Sequence, residues 1–263
     1  MHILLRRSGV KNGYILELRN IYKSFGGLRA LIDVDLNLRH GEIIGLVGDN
    51  AAGKSTLMKI VSGAYRADEG KILFNEEEVQ IANPKDARKI GIEMVYQDLE
   101  LCQNLDVPAN LFLGRELHSE TFFRFLRKRN MEKESLDILH RLKIDIRNPR
   151  TKVDKLSGGQ QQAVAIGRAV SFDPKIVLMD EPTANLAVVE IEKVLELTLR
   201  LTEHNISIIF ISHRLDDVFR VSDRIYVLKH GYMVAVKEKL KTNKEEIVKA
   251  MFMDVEEQES LQQ

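Results

Sequence analysis

The segment Gly48-Asp49-Asn50-Ala51-Ala52-Gly53-Lys54-Ser55-Thr56 follows an apolar strand, Glu42-Ile43-Ile44-Gly45-Leu46-Val47, and opens a predicted helix running to about Ser62. Few patterns restrict a fold as tightly, because strand, glycine-punctuated turn and helix must follow one another without a gap. The arrangement suits the phosphates of a nucleoside triphosphate. Gly48 and Gly53 let the backbone turn so that N–H groups of the intervening Asn50, Ala51 and Ala52 converge on phosphate oxygens. The helix behind the loop aims the positive end of its dipole at the same charge. Lys54 is placed to reach the β- and γ-phosphates, and the Ser55 hydroxyl, beside Thr56, to ligate magnesium.

Further along, Leu156-Ser157-Gly158-Gly159-Gln160 precedes an apolar helix, Gln161 to about Phe172. Alone, this is a helix start with a capping serine. It is followed by a buried-type strand, Lys175-Ile176-Val177-Leu178-Met179, that ends in Asp180-Glu181-Pro182-Thr183. These motifs, in this order after a phosphate loop, resemble the nucleotide-binding subunits of ATP-binding cassette (ABC) proteins, over about residues 15 to 240.

The resemblance implies an α/β, P-loop NTPase core of the ABC type, with an antiparallel β subdomain and an inserted α-helical subdomain. It implies ATP and Mg2+ as ligands. Phe25, in Tyr22-Lys23-Ser24-Phe25-Gly26-Gly27, matches the residue that stacks on adenine; Tyr22 is the competing aromatic, and a core role for Phe25 is the alternative. Gln97, after Ile92-Glu93-Met94-Val95-Tyr96, matches the glutamine that reaches the magnesium and the attacking water. His213, after Ile206-Ser207-Ile208-Ile209-Phe210-Ile211-Ser212, resembles the histidine that contacts the γ-phosphate. Asp180 would hold the magnesium shell and Glu181 would orient, or take a proton from, the lytic water. Adjacent carboxylates on a strand point to opposite faces, which suits two roles. In the family, Ser157, Gly158 and Gly159, with Gln160 closing the motif, meet the γ-phosphate held by a partner subunit. ATP would then join two copies head to tail.

Composition narrows the classes without choosing among them. Lys plus Arg and Asp plus Glu are both 39, so no general basic field draws nucleic acid, and no nucleic-acid partner is expected. The single cysteine, Cys102, excludes an internal disulfide. No apolar run approaches the roughly 18 residues of a membrane span. Residues 1–13 read as an extension with too short an apolar patch for a signal peptide, residues 14–240 as one ATPase domain, and 241–263 as a helix and acidic tail. Strands are expected at about 14–20, 31–38 and 71–81, less regularly separated by helices than the later ones. From about 98 to 173 the strand pattern gives way to helical periodicity, as in Leu136, Leu139, His140 and Leu142. Within it, Phe122-Phe123-Arg124-Phe125-Leu126-Arg127-Lys128-Arg129 reads as an amphipathic, solvated helix rather than a single-strand nucleic-acid site, or as a face near anionic lipid or a membrane partner.

The wording of Ile92 to Leu99, of Asn104 to Val107, of Asn110 to Glu116 and of Ile211 to Leu215 is similar to the ATP-binding subunits of simple-sugar importers. That likeness implies a permease and, through it, a sugar-binding protein as partners, with the chain at the cytoplasmic face of the cell membrane. Residues between Gln97 and Glu116 would lie near the permease. Many of those relatives carry two fused cassettes, whereas this chain has one and is expected to pair with itself. Ala187 stands where the wider family places an aspartate, as it often does not in the sugar group; hydrolysis is expected to survive. A non-sugar ABC cargo, or an ABC ATPase acting on ribosomes or DNA, is the alternative.

Overall fold

The computed structural model describes residues 13–119 and 125–252. The chain opens with a long hairpin, β1 (Tyr14–Phe25) and β2 (Leu28–Arg39), followed by β3 (Ile43–Val47) and α1 (Lys54–Val61). Next come β4 (Glu69–Phe74), β5 (Glu77–Val79), α2 (Pro84–Lys89) and β6 (Ile92–Val95). The expected single strand at 71–81 is thus a hairpin, because Asn75 and Glu76 both take positive φ (50° and 69°) and turn the chain.

Between β6 and β7 lie α3 (Val107–Leu111), α4 (Lys128–Arg141), a 3-10 turn and α5 (Gly158–Val170). The remainder is β7 (Ile176–Asp180), α6 (Val188–Glu203), β8 (Ser207–Ile211), α7 (Leu215–Val221), β9 (Arg224–Lys229), β10 (Tyr232–Glu238) and α8 (Lys244–Phe252). No helix among the described residues is long and apolar enough to cross a membrane.

Two sheets result. One is antiparallel, in the order β2-β1-β4-β5; the other runs β10-β9-β3-β8-β7-β6, parallel throughout except for β10. Strands β3, β7 and β8 are buried along their whole length, which is why they read as continuous apolar runs. Their alternate side chains feed two cores. Ile44, Leu46, Leu178 and Ile209 join α1 and the antiparallel sheet, while Ile43, Val177, Ile208 and Phe210 join α5 to α8. A third cluster, including Val107, Leu111, Met131, Leu139 and Val164, packs α3 and α4 against α5.

Two helical readings shift. The buried stripe of α4 is Met131, Ser135, Ile138 and Leu139, continued by Leu142, whereas Leu136 is 45% exposed and His140 is exposed. The aromatic–basic run is not helical over Phe125 to Arg127, and only its last two residues, Lys128 and Arg129, enter a helix. Leu126 bridges His118, Arg127 N–H donates to Leu117 O (2.7 Å), and α4 starts only at Lys128; Phe122 to Arg124 lie outside the described residues.

One ion pair ties the sheets together. Arg224 of β9 donates to both Glu42 carboxylate oxygens (2.6 and 2.9 Å), and to Asn37 O and Oδ1 on β2 (2.7 and 2.9 Å). Glu42 is 1% and Arg224 7% exposed. Removing one partner strands the other charge in a dry interior. Arg224→Met is therefore expected to lose about 3–5 kcal/mol of unfolding free energy. Adding Glu42→Gln should return most of it, as denaturant unfolding of the single and double variants will measure.

Candidate active site

The parallel register sets the site. Leu46 of β3, Ile211 of β8 and Asp180 of β7 stand abreast, and Val95 of β6 stands beside Met179. The phosphate loop, Ser212-His213, Asp180-Glu181 and Gln97 therefore all leave the same edge, at the carboxyl ends of neighbouring strands. That edge is where open α/β sheets bind ligands.

In the loop, Gly48 (φ 154°) and Gly53 (φ 109°) adopt backbone that side chains resist. A Cβ on Gly48 would stand 2.0 Å from Leu228 O, and one on Gly53 2.6 Å from Ala30 O. Ala51 also has positive φ (65°), Asn50 and Ala51 are exposed, and Ala52 is buried with its carbonyl accepting from Gly231 N–H (3.0 Å). Helix α1 makes its first bond from Leu57 N–H to Gly53 O (2.9 Å), and its N-cap has no side-chain acceptor. The amides of Lys54, Ser55 and Thr56 thus have no intrahelical partner and face the loop end.

Lys54 Nζ donates to Gly48 O (2.7 Å) and Asp49 O (2.8 Å), spanning the loop. Burial lowers its pKa, opposed by the nearby charges of Glu181, Asp180 and Asp49. Asp180 shifts the other way: burial raises it, against the hydrogen bond from Ser55 and the charge of Lys54. A buried carboxylate beside a hydroxyl, at a phosphate-facing helix start, offers the hard oxygen donors that magnesium takes alongside substrate phosphates. Among the described residues no cluster of three or more His, Cys, Asp or Glu side chains could hold a metal by itself.

Strand alternation is not what separates the two carboxylates. β7 ends at Asp180, and Glu181 turns out with φ 51°, a conformation uncommon outside glycine and concentrated at functional sites. It is held by Glu181 N–H to Ile211 O (3.0 Å) and Ala184 N–H to Glu181 O (3.1 Å). Glu181 Oε2 then meets His213 Nδ1 at 2.7 Å and accepts from His213 N–H at 3.3 Å. With Nδ1 protonated, the ring donates to Glu181 and leaves Nε2 to face elsewhere. Gln97, two residues beyond β6, is exposed at the same edge.

Phe25 is 43% exposed, which removes the core alternative, and its ring meets Tyr65 edge-on at 5.3 Å. Tyr22 instead lies inside β1 opposite Glu69, its phenol hydrogen-bonded to Asp33. The signature segment sits at the start of α5, against the first turn of α6. Helix α5 starts at Gly158, earlier than expected, with Ser157 Oγ accepting Gln160 N–H (3.3 Å) and Gln160 Oε1 accepting Ser157 N–H (3.1 Å). It ends at Val170, short of Phe172.

Sequence reasoning passed over three groups that shape this edge. Tyr65 extends the aromatic surface at Phe25, and no motif marks it. Buried Thr183 donates to Asp217 (2.6 Å), itself paired with Arg214 (3.2 Å), which anchors the segment after Glu181. Glu190 of α6 accepts Gly159 N–H at 3.1 Å.

The family model for "ABC transporter" matches residues 31–184, from β2 through the phosphate loop and signature segment to just past Glu181. The chain belongs to the ABC transporter family. The cassette is 46% identical over 237 residues to the xylose/arabinose import ATP-binding protein XylG of Sulfolobus acidocaldarius, covering 90% of this chain and 93% of that protein. It is 41% identical over 237 residues to the ribose import ATP-binding protein RbsA of Caldanaerobacter subterraneus subsp. tengcongensis, covering 90% of this chain but 47% of that one. The chain thus spans nearly all of one relative and about half the length of the other. Among solved structures, it resembles a nucleotide-free ATP-binding cassette from an ABC transporter (30% identity, TM-score 0.79, covering 93% and 97% of the two chains). It also resembles a dimeric cassette in a post-hydrolysis state bound to ADP and Pi (27% identity, TM-score 0.72, covering 85% and 98%). The cassette is an ATPase of this family.

The loop geometry makes a direct prediction. Gly48→Ala should cost about 1–3 kcal/mol in backbone strain alone. It should also abolish nucleotide binding, read by denaturant unfolding and by equilibrium binding of a fluorescent ATP analogue.

Proposed function

We propose that this cassette binds and hydrolyses ATP to power import of a simple sugar through a membrane permease. The observation that carries the chemistry is the 2.7 Å contact between Glu181 and His213 at the edge shared with Lys54 and Asp180. The likeness to XylG and RbsA carries the cargo.

In this reading the α1 amides and Lys54 bind the β- and γ-phosphates, and Phe25 offers its exposed face to the adenine. Asp180, Ser55 and Gln97 hold Mg2+, which supplies positive charge to the phosphate oxygens when bound. Glu181 orients the attacking water and accepts its proton. His213 donates Nδ1–H to Glu181, fixing that carboxylate, while Nε2 faces the γ-phosphate. Little covalent work is left to the protein, since phosphoryl transfer depends mainly on positioning and charge.

Ser157, Gly158 and Gly159 complete the site of a second copy, so that two ATP molecules join a head-to-tail pair. The pair docks on permease subunits at the cytoplasmic face of the membrane, and a sugar-binding protein delivers the substrate from the other side. Ala187 removes an acceptor between the paired sites without touching Glu181, Gln97 or His213, so turnover persists.

Two measurements test this. Glu181→Gln in the permease-bound complex should lower ATP turnover roughly 10²–10⁴-fold with nucleotide binding retained; unchanged turnover would remove Glu181 from the mechanism. The tagged chain, purified from membranes of its own source, should bring down a multi-span permease and a sugar-binding protein. Ribosomal or DNA-bound partners instead would reassign the purpose of the ATPase.

A further inference from the structure

The start of α5 is occupied by one of the chain's own carboxylates. Glu190, on the first turn of α6, accepts Gly159 N–H with Oε1 (3.1 Å) and Ala187 N–H with Oε2 (3.3 Å), so it spans two helix N-termini. The approach is close enough to require glycine: a Cβ on Gly159 would stand 2.8 Å from Glu190 Cβ. Bonds from the Gly159 amide and the Ser157 hydroxyl hold the Glu190 carboxyl below the usual range, so it is ionised at neutral pH.

Ala187 sharpens the point. It is the N-cap of α6 but has no side-chain acceptor, so the reciprocal half of a capping box is missing at Glu190's own helix. The Glu190 carboxylate divides between the two helices, one oxygen to each. A groove of about 470 Å3 opens at the same place between α5 and α6, lined among others by Gly159, Glu190 and Lys193. Lys193 lies one turn further along α6, and its charge already favours the ionised carboxylate.

We propose that Glu190 is an autoinhibitory anion, an internal stand-in for the terminal phosphate of a nucleoside triphosphate presented by a second copy. This rests on the ATP-joined pair proposed above. Gly159 has one amide proton, and two anions cannot share one helix terminus at close range without repulsion. Closure of the pair therefore expels Glu190, which swings into the groove toward Lys193. The contact holds the signature segment shut until a triphosphate, rather than a diphosphate, arrives with enough charge to displace it.

The test uses the full chain in a Glu181→Gln background, which keeps ATP intact, with dimerisation followed by light scattering against Mg-ATP. Adding Glu190→Ala should lower the ATP concentration for half-maximal dimerisation by at least about fivefold. Glu190→Gln keeps an acceptor for Gly159 but loses the charge, and should shift it in the same direction even if Glu190→Ala weakens the fold. Below the dimerisation range, affinity for a fluorescent ATP analogue should match the parent. An unchanged or raised ATP requirement in Glu190→Gln overturns the proposal, as does a parallel change in monomer affinity. If Glu181→Gln alone stays monomeric at saturating Mg-ATP, the ATP-joined pair itself is wrong and the inhibitory role falls with it.

Discussion

Parallel pairing of β3, β8, β7 and β6 in one fixed register is the constraint on which the site depends. With Leu46, Ile211 and Asp180 abreast, Gly48, His213 and Glu181 all fall within two residues of one line, and Gln97 follows from β6 beside them. Sliding one strand by a single residue would exchange its two buried faces. It would move Ile208 and Phe210 from the helical core toward the core under the antiparallel sheet, and Ile209 and Ile211 the other way. Packing on both faces thus fixes the alignment of groups carried on separate strands, and it sets Glu181 within hydrogen-bond reach of His213.

The loop ends convert that alignment into chemistry through local strain. Gly48 can pass 2.0 Å, at its absent Cβ, from the Leu228 carbonyl only because it has no side chain. Glu181 carries a side chain at φ 51° and is held there by bonds at both of its peptide ends. Strain of this kind persists only where surrounding structure over-determines it. Here β8 supplies Ile211 O, and the buried Thr183–Asp217 bond fixes the exit. The Arg224–Glu42 pair does similar work at longer range, since β2 carries Ala30, against which Gly53 and Gly231 both pack.

Much of this was legible in the order of residues. The phosphate loop announces itself because its chemistry needs glycines and a lysine at fixed spacing, and the parallel strands because burial on both faces leaves them wholly apolar. Other features were not. The 71–81 stretch read as one strand because Asn75-Glu76 carries no glycine or proline to mark the turn. The α4 stripe was misplaced by Leu136, since one leucine on a helix is as easily exposed as buried. Glu181 was expected to diverge from Asp180 by pleat, whereas the strand had already ended; the backbone conformation that aims it has no signature in Asp-Glu-Pro-Thr. Contacts between distant segments, such as Phe25 with Tyr65 or Gly159 with Glu190, depend on packing that no local spacing encodes.

The starts of α1 and α5 show why an anion site cannot be inferred from a helix N-terminus alone. Both follow glycine-containing motifs, and both carry the same partial positive charge. At α1 the N-cap is Gly53, which offers no side-chain oxygen, and Lys54, a donor only, bonds the Gly48 and Asp49 carbonyls. The amides stay available. At α5, Ser157, Gln160 and Glu190 all supply oxygens, so the Ser157, Gly159 and Gln160 amides are already bonded from within the chain. An incoming phosphate meets a prepared surface at the first and a competitor at the second. In the ATP-joined pair proposed above, this asymmetry would give the two halves of the composite site different thresholds, with nucleotide loading on the loop of one copy before the signature segment of another accepts it.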